Sequence, residues 1–394
     1  MATSLTELRI LDGPNLYFPH AAVRLTLDLT RLVELSEHEA SELAARMGLR
    51  AARPGPAGTG FRQRFAARLT ARLVRQVAAE AGTQRLAVRV RPERDVHRVV
   101  VAYPWRHRSR AEALGRAVAE VLDAVPVADF EGLVERVAGS VRDADLGPAP
   151  RALHPRIPVV AVTGSLGKTT TCRLIAHLGS CAGRRVGWSS ADGIHVDGVL
   201  VEAGDYSGPG GAGRLLARPE VDLAVTETGH GSILAGGIGV THNDVSVVTN
   251  VVDAVDPDGV HIGTVDELAE LKSVVTRITR SDGWCVLNGD DPRVWSMRVL
   301  SPARTWTFSR DPDSPAVHDL LEDAGRATTV IDGWVSVLES GRDPDPLVRL
   351  ADVPLTSPPG SAYDVENVLA AVSAGLAVGL PRAAVVEGLA SFAG

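Results

Sequence analysis

Lysine is nearly absent from this chain. Of its 41 basic residues only Lys168 and Lys272 are lysines, and the other 39 are arginines. Arginine is bulky, planar and permanently charged, whereas lysine is a compact charge that can lose its proton. A bias toward arginine that spares two positions marks them as places where the compact amine is needed. Cysteine is scarce too: Cys172, Cys181 and Cys285 show no paired spacing, which excludes a disulfide framework and a cysteine-based metal site and fits a reducing cytoplasm. No signal peptide and no apolar run long enough to cross a bilayer are present, so no membrane partner is expected. Internal repeats, low-complexity tracts and nucleic-acid readout motifs are also missing, and no nucleic-acid partner is expected.

What is present is the composition of a soluble globular protein: 394 residues, 45% hydrophobic and 23% charged, enough for two or three domains. The net charge of −7 hides an asymmetry. Arg50 to Arg116 holds sixteen arginines against four acids, leaving 25 basic and 44 acidic residues elsewhere. Such a segment either meets an anionic partner or is an arginine-rich solvated surface.

The chemistry concentrates at Val159-Val-Ala-Val-Thr-Gly-Ser-Leu-Gly-Lys-Thr-Thr-Thr171. A β-branched apolar run reads as a buried parallel strand, and Lys168 to Gly179 as the helix leaving it. Between them Gly164, Ser165 and Gly167 form a turn whose N–H groups, with those of Lys168, Thr169 and Thr170 at the helix start, make a cradle for phosphate oxygens. Lys168 reaches the terminal phosphates and Thr169 offers its hydroxyl to Mg²⁺. The pattern is two residues shorter than the full phosphate-loop signature, because Val162 stands where its first glycine would be. An ordinary glycine turn is the alternative.

Along the chain, 1–142 reads as an α+β module, with strands at 22–29, 86–90 and 96–102 and helices at 37–48, 61–81 and 109–124. The second helix carries Phe61, Phe65, Leu69, Leu73 and Val77 on one face. A proline- and glycine-rich linker covers 143–156. From 157 to 394 strands and helices alternate, which predicts an α/β doubly wound, mostly parallel sheet with ligands at the carboxyl edge of its strands. Strands are expected at 185–189, 221–227, 244–250 and 283–288, a hairpin at 193–204, helices at 264–280, 363–378 and 381–392, and short antiparallel strands over 303–350. Glu227, Asn250 and Asn288 end their strands at that edge. Glu227 is the second candidate metal ligand, and Lys272 either neutralises a phosphate or, modified by CO₂, acts as a further carboxylate. Asn288 with Asp290 and Asp291 would meet adenine or ribose, or cap a helix. A surface acid and a salt-bridged helix lysine are the plain alternatives for Glu227 and Lys272.

Several stretches resemble the central domain of the Mur ligase superfamily: Val159 to Thr170, Glu227-Thr-Gly-His-Gly-Ser-Ile-Leu234, Val247-Val-Thr-Asn250, Leu271-Lys272, Val286-Leu-Asn-Gly-Asp-Asp-Pro292 and Val365-Glu-Asn-Val-Leu-Ala-Ala371. Asp192 to Pro209 narrows the resemblance to the cyanophycin synthetase branch, and Leu8 to Asn15 with Ala78 to Gly82 resemble that enzyme's N-terminal domain. The resemblance implies an ATP-dependent amide ligase that joins a small-molecule or peptide carboxylate to an amine and works with ATP and Mg²⁺; a homo-oligomer is expected. It matches Lys168 and Thr169 to the ATP and Mg²⁺ residues, Glu227 to a magnesium ligand, Lys272 to a carbamylated lysine, and Asn288 and Asn367 to nucleotide contacts. Departures are also visible. Leu166 replaces the loop's usual Asn, Asp253-Ala-Val-Asp256 stands where an Asp-His pair is expected with His261 further along, and His230 and Ala235 replace two arginines, which implies a different substrate. No amidating ATP-grasp domain separates the two modules and no third Mur domain is seen, which leaves a truncated ligase, a ligase completed by a partner or a degenerate relative as expectations. A partner-completed or non-catalytic nucleotide-binding scaffold subunit is therefore the alternative, and a simple nucleoside triphosphatase or kinase a third.

Overall fold

The computed structural model describes residues 3–49, 53–126, 128–252, 263–357 and 361–392. They fall into two compact units, Met1–Gly13 with His20–Arg151 and Pro14–Pro19 with Ala152–Gly394. The stretch read as a linker is divided between them at Arg151 and Ala152. Its first part folds back, so that Arg108 and Ser109 donate their N–H groups to the carbonyls of Pro148 and Leu146.

In the first unit β1 (Leu5–Leu11), β2 (Ala22–Asp28), β3 (Arg89–Pro92) and β4 (Arg98–Pro104) form an antiparallel sheet ordered β1-β2-β4-β3. Alternation decides its inner face: Val23, Leu25 and Leu27 of β2 and Val99, Val101 and Tyr103 of β4 share one core with the helices. These are α1 (Thr30–Val33), α2 (Glu37–Arg46), α3 (Gly60–Glu80), α4 (Arg108–Ala124) and α5 (Phe130–Asp143). Ser36 and Glu39 form a reciprocal cap at the start of α2, and Thr59 caps α3. Phe65, Leu69, Leu73 and Val77 are buried as the helical spacing predicts, but Phe61 is 51% exposed. The strand expected at 86–90 lies three residues later, and α5 was not anticipated.

The second unit runs β5 (Val159–Thr163), α6 (Lys168–Cys181), β6 (Val186–Ser190), β7 (Gly193–Val196), β8 (Val199–Ala203), α7 (Pro209–Leu216), β9 (Leu223–Glu227), α8 (His230–Gly236), β10 (Asn243–Val248), α9 (Val265–Arg277) and β11 (Thr279–Asn288). It continues with α10 (Pro292–Ser296), β12 (Arg304–Phe308), α11 (Pro315–Glu322), β13 (Arg326–Ile331), β14 (Trp334–Glu339), β15 (Asp345–Arg349), α12 (Ala362–Ala377) and α13 (Arg382–Ser391). All eleven strands join one sheet, ordered β15-β14-β13-β12-β11-β10-β5-β9-β6-β7-β8, in which β13 through β6 are mutually parallel. The doubly wound α/β architecture follows from the helices. Val160 and Val162 of β5 pack with α6, α12 and α13 on one face, while Ala161 packs with Ala212, Ile233, Leu271 and Val274 from α7, α8 and α9 on the other.

Two expectations are corrected. Residues 303–350 are not all antiparallel, because α11, capped by Ser314 with Pro315 at its first position, supplies a crossover that lays β13 parallel to β12. The helix expected to reach 280 ends at Arg277, where β11 takes over at Thr279. The short helices α7 and α8 carry too few turns to show a period. Among the described residues, no helix is long and apolar enough to cross a membrane.

Candidate functional site

β5 lies mid-sheet, paired in parallel with β9 and β10, so its end is fixed from both sides. The chain leaves β5 toward α6 on one face and leaves β9 toward α8 on the other. Adjacent strands whose connections part in this way open a crevice at their carboxyl ends. Residues 164–167 turn the chain there. Gly167, at φ +80°, is the N-cap of α6, and a Cβ on it would collide with the Asn367 side chain. A Cβ on Gly164 would collide with the Thr249 hydroxyl. Both glycines are therefore required by close neighbours.

The chain's two lysines converge on this loop. Lys168 Nζ donates to the Ser165 carbonyl at 3.2 Å, and Lys272 Nζ donates to the Gly164 carbonyl at 2.6 Å. They arrive from opposite faces of the sheet, one from α6 and the other from α9, and meet consecutive carbonyls. Lys272 is fully buried, whereas Lys168 is only partly so. A compact ammonium on a flexible stem suits both places, which a guanidinium fork would overfill.

Thr169 Oγ1 donates to Glu227 Oε2 at 2.8 Å. Burial is the main influence on Glu227 and raises its pKa, against the Thr169 hydrogen bond and the Lys168 charge, which lower it; nearby Asp205 raises it further. These residues fit a magnesium ion. They offer two hard oxygens separated by about the cis edge of an octahedron with bonds near 2.1 Å, leaving other positions for phosphate and water. Among the described residues no group of three or more His, Cys, Asp or Glu is placed to hold a metal.

On the other flank the asparagines hold the backbone. Asn250 accepts the Leu166 N–H at 2.8 Å and donates to the Leu166 carbonyl at 3.1 Å, while its own carbonyl accepts from Ser165 N. Thr249 adds a hydrogen bond to the Leu166 carbonyl at 2.7 Å. Asn288 is buried and donates to the Thr249 carbonyl and to Glu366, and Asn367 accepts from Thr171 at 3.1 Å. Asp291 caps α10 and also accepts from Val251 N, while Asp290 accepts from Ser309 and Arg310.

Gly164, Ser165, Gly167, Lys168, Thr169 and Thr170 thus lie within the loop or the first turn of α6, Glu227, Asn250, Lys272 and Asn367 lie against them, and Asn288 stands one residue further off, bonded to Thr249 and Glu366. Asp253 to Asp256 and His261 lie outside the described residues. Thr249, Glu366 and Arg310 were missed. Arg310 pairs with Glu366 at 3.1 Å, and burial raises the Glu366 pKa against that charge. The adjacency of Glu366 to Asn367 was the available signal.

Residues 162–375 match the family model described as the Mur ligase middle domain. The chain belongs to the Mur ligase family. Curated relatives in or beside this family include the cyanophycin synthetase of Crocosphaera subtropica, 36% identical over 267 residues that cover 68% of this chain and 30% of that one. The Trichormus variabilis cyanophycin synthetase is 38% identical over 267 residues, with 68% and 29% coverage. A UDP-N-acetylmuramoylalanine–D-glutamate ligase of Symbiobacterium thermophilum is 31% identical over 242 residues, with 61% and 45% coverage. This Mur-family chain therefore spans only about 30% of the length of the cyanophycin synthetases it matches. Among solved structures, a UDP-N-acetylmuramoyl-L-alanyl-D-glutamate–2,6-diaminopimelate ligase aligns with TM-score 0.46 at 18% identity, covering 67% of this chain and 50% of that one.

Proposed function

We propose that this chain carries the ATP-binding, carboxylate-activating centre of an amide ligase. The observation that carries the reading is the meeting of Lys168 and Lys272 at consecutive carbonyls of a glycine loop, beside the Thr169–Glu227 oxygen pair.

In this reading the triphosphate lies along the loop and the free N–H groups that open α6. Lys168 turns from the Ser165 carbonyl to the terminal phosphates. Thr169 and Glu227 would hold Mg²⁺, which neutralises charge on the β- and γ-phosphates. A substrate carboxylate oxygen attacks the γ-phosphorus, the bond to the β-bridging oxygen breaks, and ADP leaves. An amine nitrogen then attacks the acyl phosphate, loses a proton, and releases inorganic phosphate as the amide forms. Phosphoryl transfer depends mainly on positioning and charge stabilisation, so the loop and its two amines have the main catalytic roles. Addition of CO₂ to the neutral Lys272 amine, with loss of one N–H proton to water, would give a carbamate and so a further carboxylate beside the loop. In this reading Asn288 and Asn367 would contact the nucleotide. ADP release, followed with Mg-ATP and a panel of carboxylates and amines, tests the reading: release requires a carboxylate and accelerates with an amine, and the product mass identifies both.

A second reading has its own support. In the first unit Arg64, Arg68, Arg72 and Arg75 of α3 line a groove of about 630 Å³ with Val88 and Val90 at its floor and no acid among its lining residues. A nucleotide-binding subunit that presents this groove to an anionic partner, with catalysis completed by another chain, would bind ATP and release no ADP alone.

A further inference from the structure

The two edges of the eleven-stranded sheet are built differently. At one end β15 is sealed: it carries Asp345, Pro346 and Arg349, and Arg382 of α13 pairs with Asp345 and donates to the Pro346 carbonyl. Proline, charge and a covering helix are the usual protections of an edge strand. At the other end β8 begins Val199-Leu200-Val201, with side chains 63%, 49% and 39% exposed. These three residues contain no charge and no proline. The neighbouring Glu202 is already matched within the chain by Arg214, Arg218 and the Tyr206 hydroxyl. The one protection on this side is a bulge, which leaves Val201 as the extra residue opposite Ile194 and His195.

The hairpin fixes which backbone groups are available. Asp197 and Gly198, both at positive φ, make a two-residue turn between the paired Val196 and Val199. The pair flanking such a turn bonds inward, so the N–H and C=O of the next residue, Leu200, point away from β7. We propose that β8 pairs antiparallel with β8 of a second copy about a twofold axis at Leu200. In that register Leu200 exchanges both backbone hydrogen bonds with its own counterpart, and Val199 faces the partner copy's Val201. Each apolar side chain meets an apolar side chain, and Glu202 stays outside with its arginines. A second copy suits this edge because the sequence is complementary to itself and no unmatched charge is buried. A contact this short buries less than the roughly 1,200 Å² of a standard interface, so the dimer is weak and concentration-dependent.

Sedimentation of the full chain from about 1 to 100 μM tests this, together with three variants. The wild type should pass from monomer to dimer, and Leu200→Lys, which sets two like charges face to face, should weaken the dimer at least about 100-fold while melting and binding Mg-ATP like the wild type. Oxidised Leu200→Cys should form a covalent dimer, since directly opposed residues lie about 5.5 Å apart between Cα atoms, within disulfide reach, and Val201→Cys should not. A wild type that stays monomeric, a Leu200→Lys protein that still dimerises, or equal cross-linking at the two cysteine positions would each overturn the proposal.

Discussion

Among the described residues each unit buries one cation completely, and the two are held in different ways. In the first unit Arg62 is fully buried among main-chain carbonyls: Nε meets Pro54 and Gly55 at 3.1 Å, and its other nitrogens meet Leu35 and Gly55 at 2.6 Å. Its fork ties three chain segments together and leaves nothing for a ligand. In the second unit Lys272, equally buried, reaches a carbonyl of the phosphate loop with a single nitrogen. The rigid fork serves architecture, and in the proposed reading the point charge serves the site, which would account for a chain so biased toward arginine keeping lysine at the loop.

Exchanging the roles should break this contrast. Lys272→Met keeps the apolar stem and removes the charge; it should cut amine-dependent ADP release about 1,000-fold while thermal unfolding shows the fold retained. Arg62→Lys should do the reverse, lowering stability by about 3 kcal/mol in denaturant titration through its unmet carbonyls and leaving Mg-ATP affinity unchanged. If Arg62→Lys weakened ATP binding as much as Lys272→Met slowed turnover, the division of labour would be wrong.

A smaller effect concerns Glu227, whose pKa burial raises. As pH rises, the unfolded chain ionises this carboxyl first. The stability it contributes is therefore complete below the ordinary glutamate pKa and is lost as pH climbs through the raised value. Magnesium needs the ionised form, so apparent Mg²⁺ affinity should rise over the same window. Glu227→Gln should flatten both profiles, as followed by melting and by Mg²⁺ titration of ADP release. Smallest is Asn250→Ala, which frees Leu166 N and leaves its carbonyl to Thr249: a loss of about 1–2 kcal/mol, read most sharply as faster hydrogen exchange at Leu166.

Much of the second unit was legible because its signals are local. The β-branched run of β5, the glycines at Gly164 and Gly167, and the strand-end residues Glu227 and Asn288 each announce themselves within a few positions. The convergence of Lys272 with Lys168 was foreshadowed only by the scarcity of lysine, since the two are brought together by the sheet. The parallel placement of β13 was not legible, because it depends on α11, eight residues long and capped by a serine no different from any turn serine. The roles of Asn250 and Asn367 were hidden for the same reason: their partners, Leu166 and Thr171, are distant in sequence and near only through the packing of β10 and α12 against the loop.

The central claim is that the loop holds a triphosphate through Lys168. Calorimetric titration of Mg-ATP into the wild type and Lys168→Ala, with circular dichroism confirming the same fold, tests it directly. The account predicts binding by the wild type and at least about a 100-fold loss in the variant; equal affinity in the two proteins would contradict it.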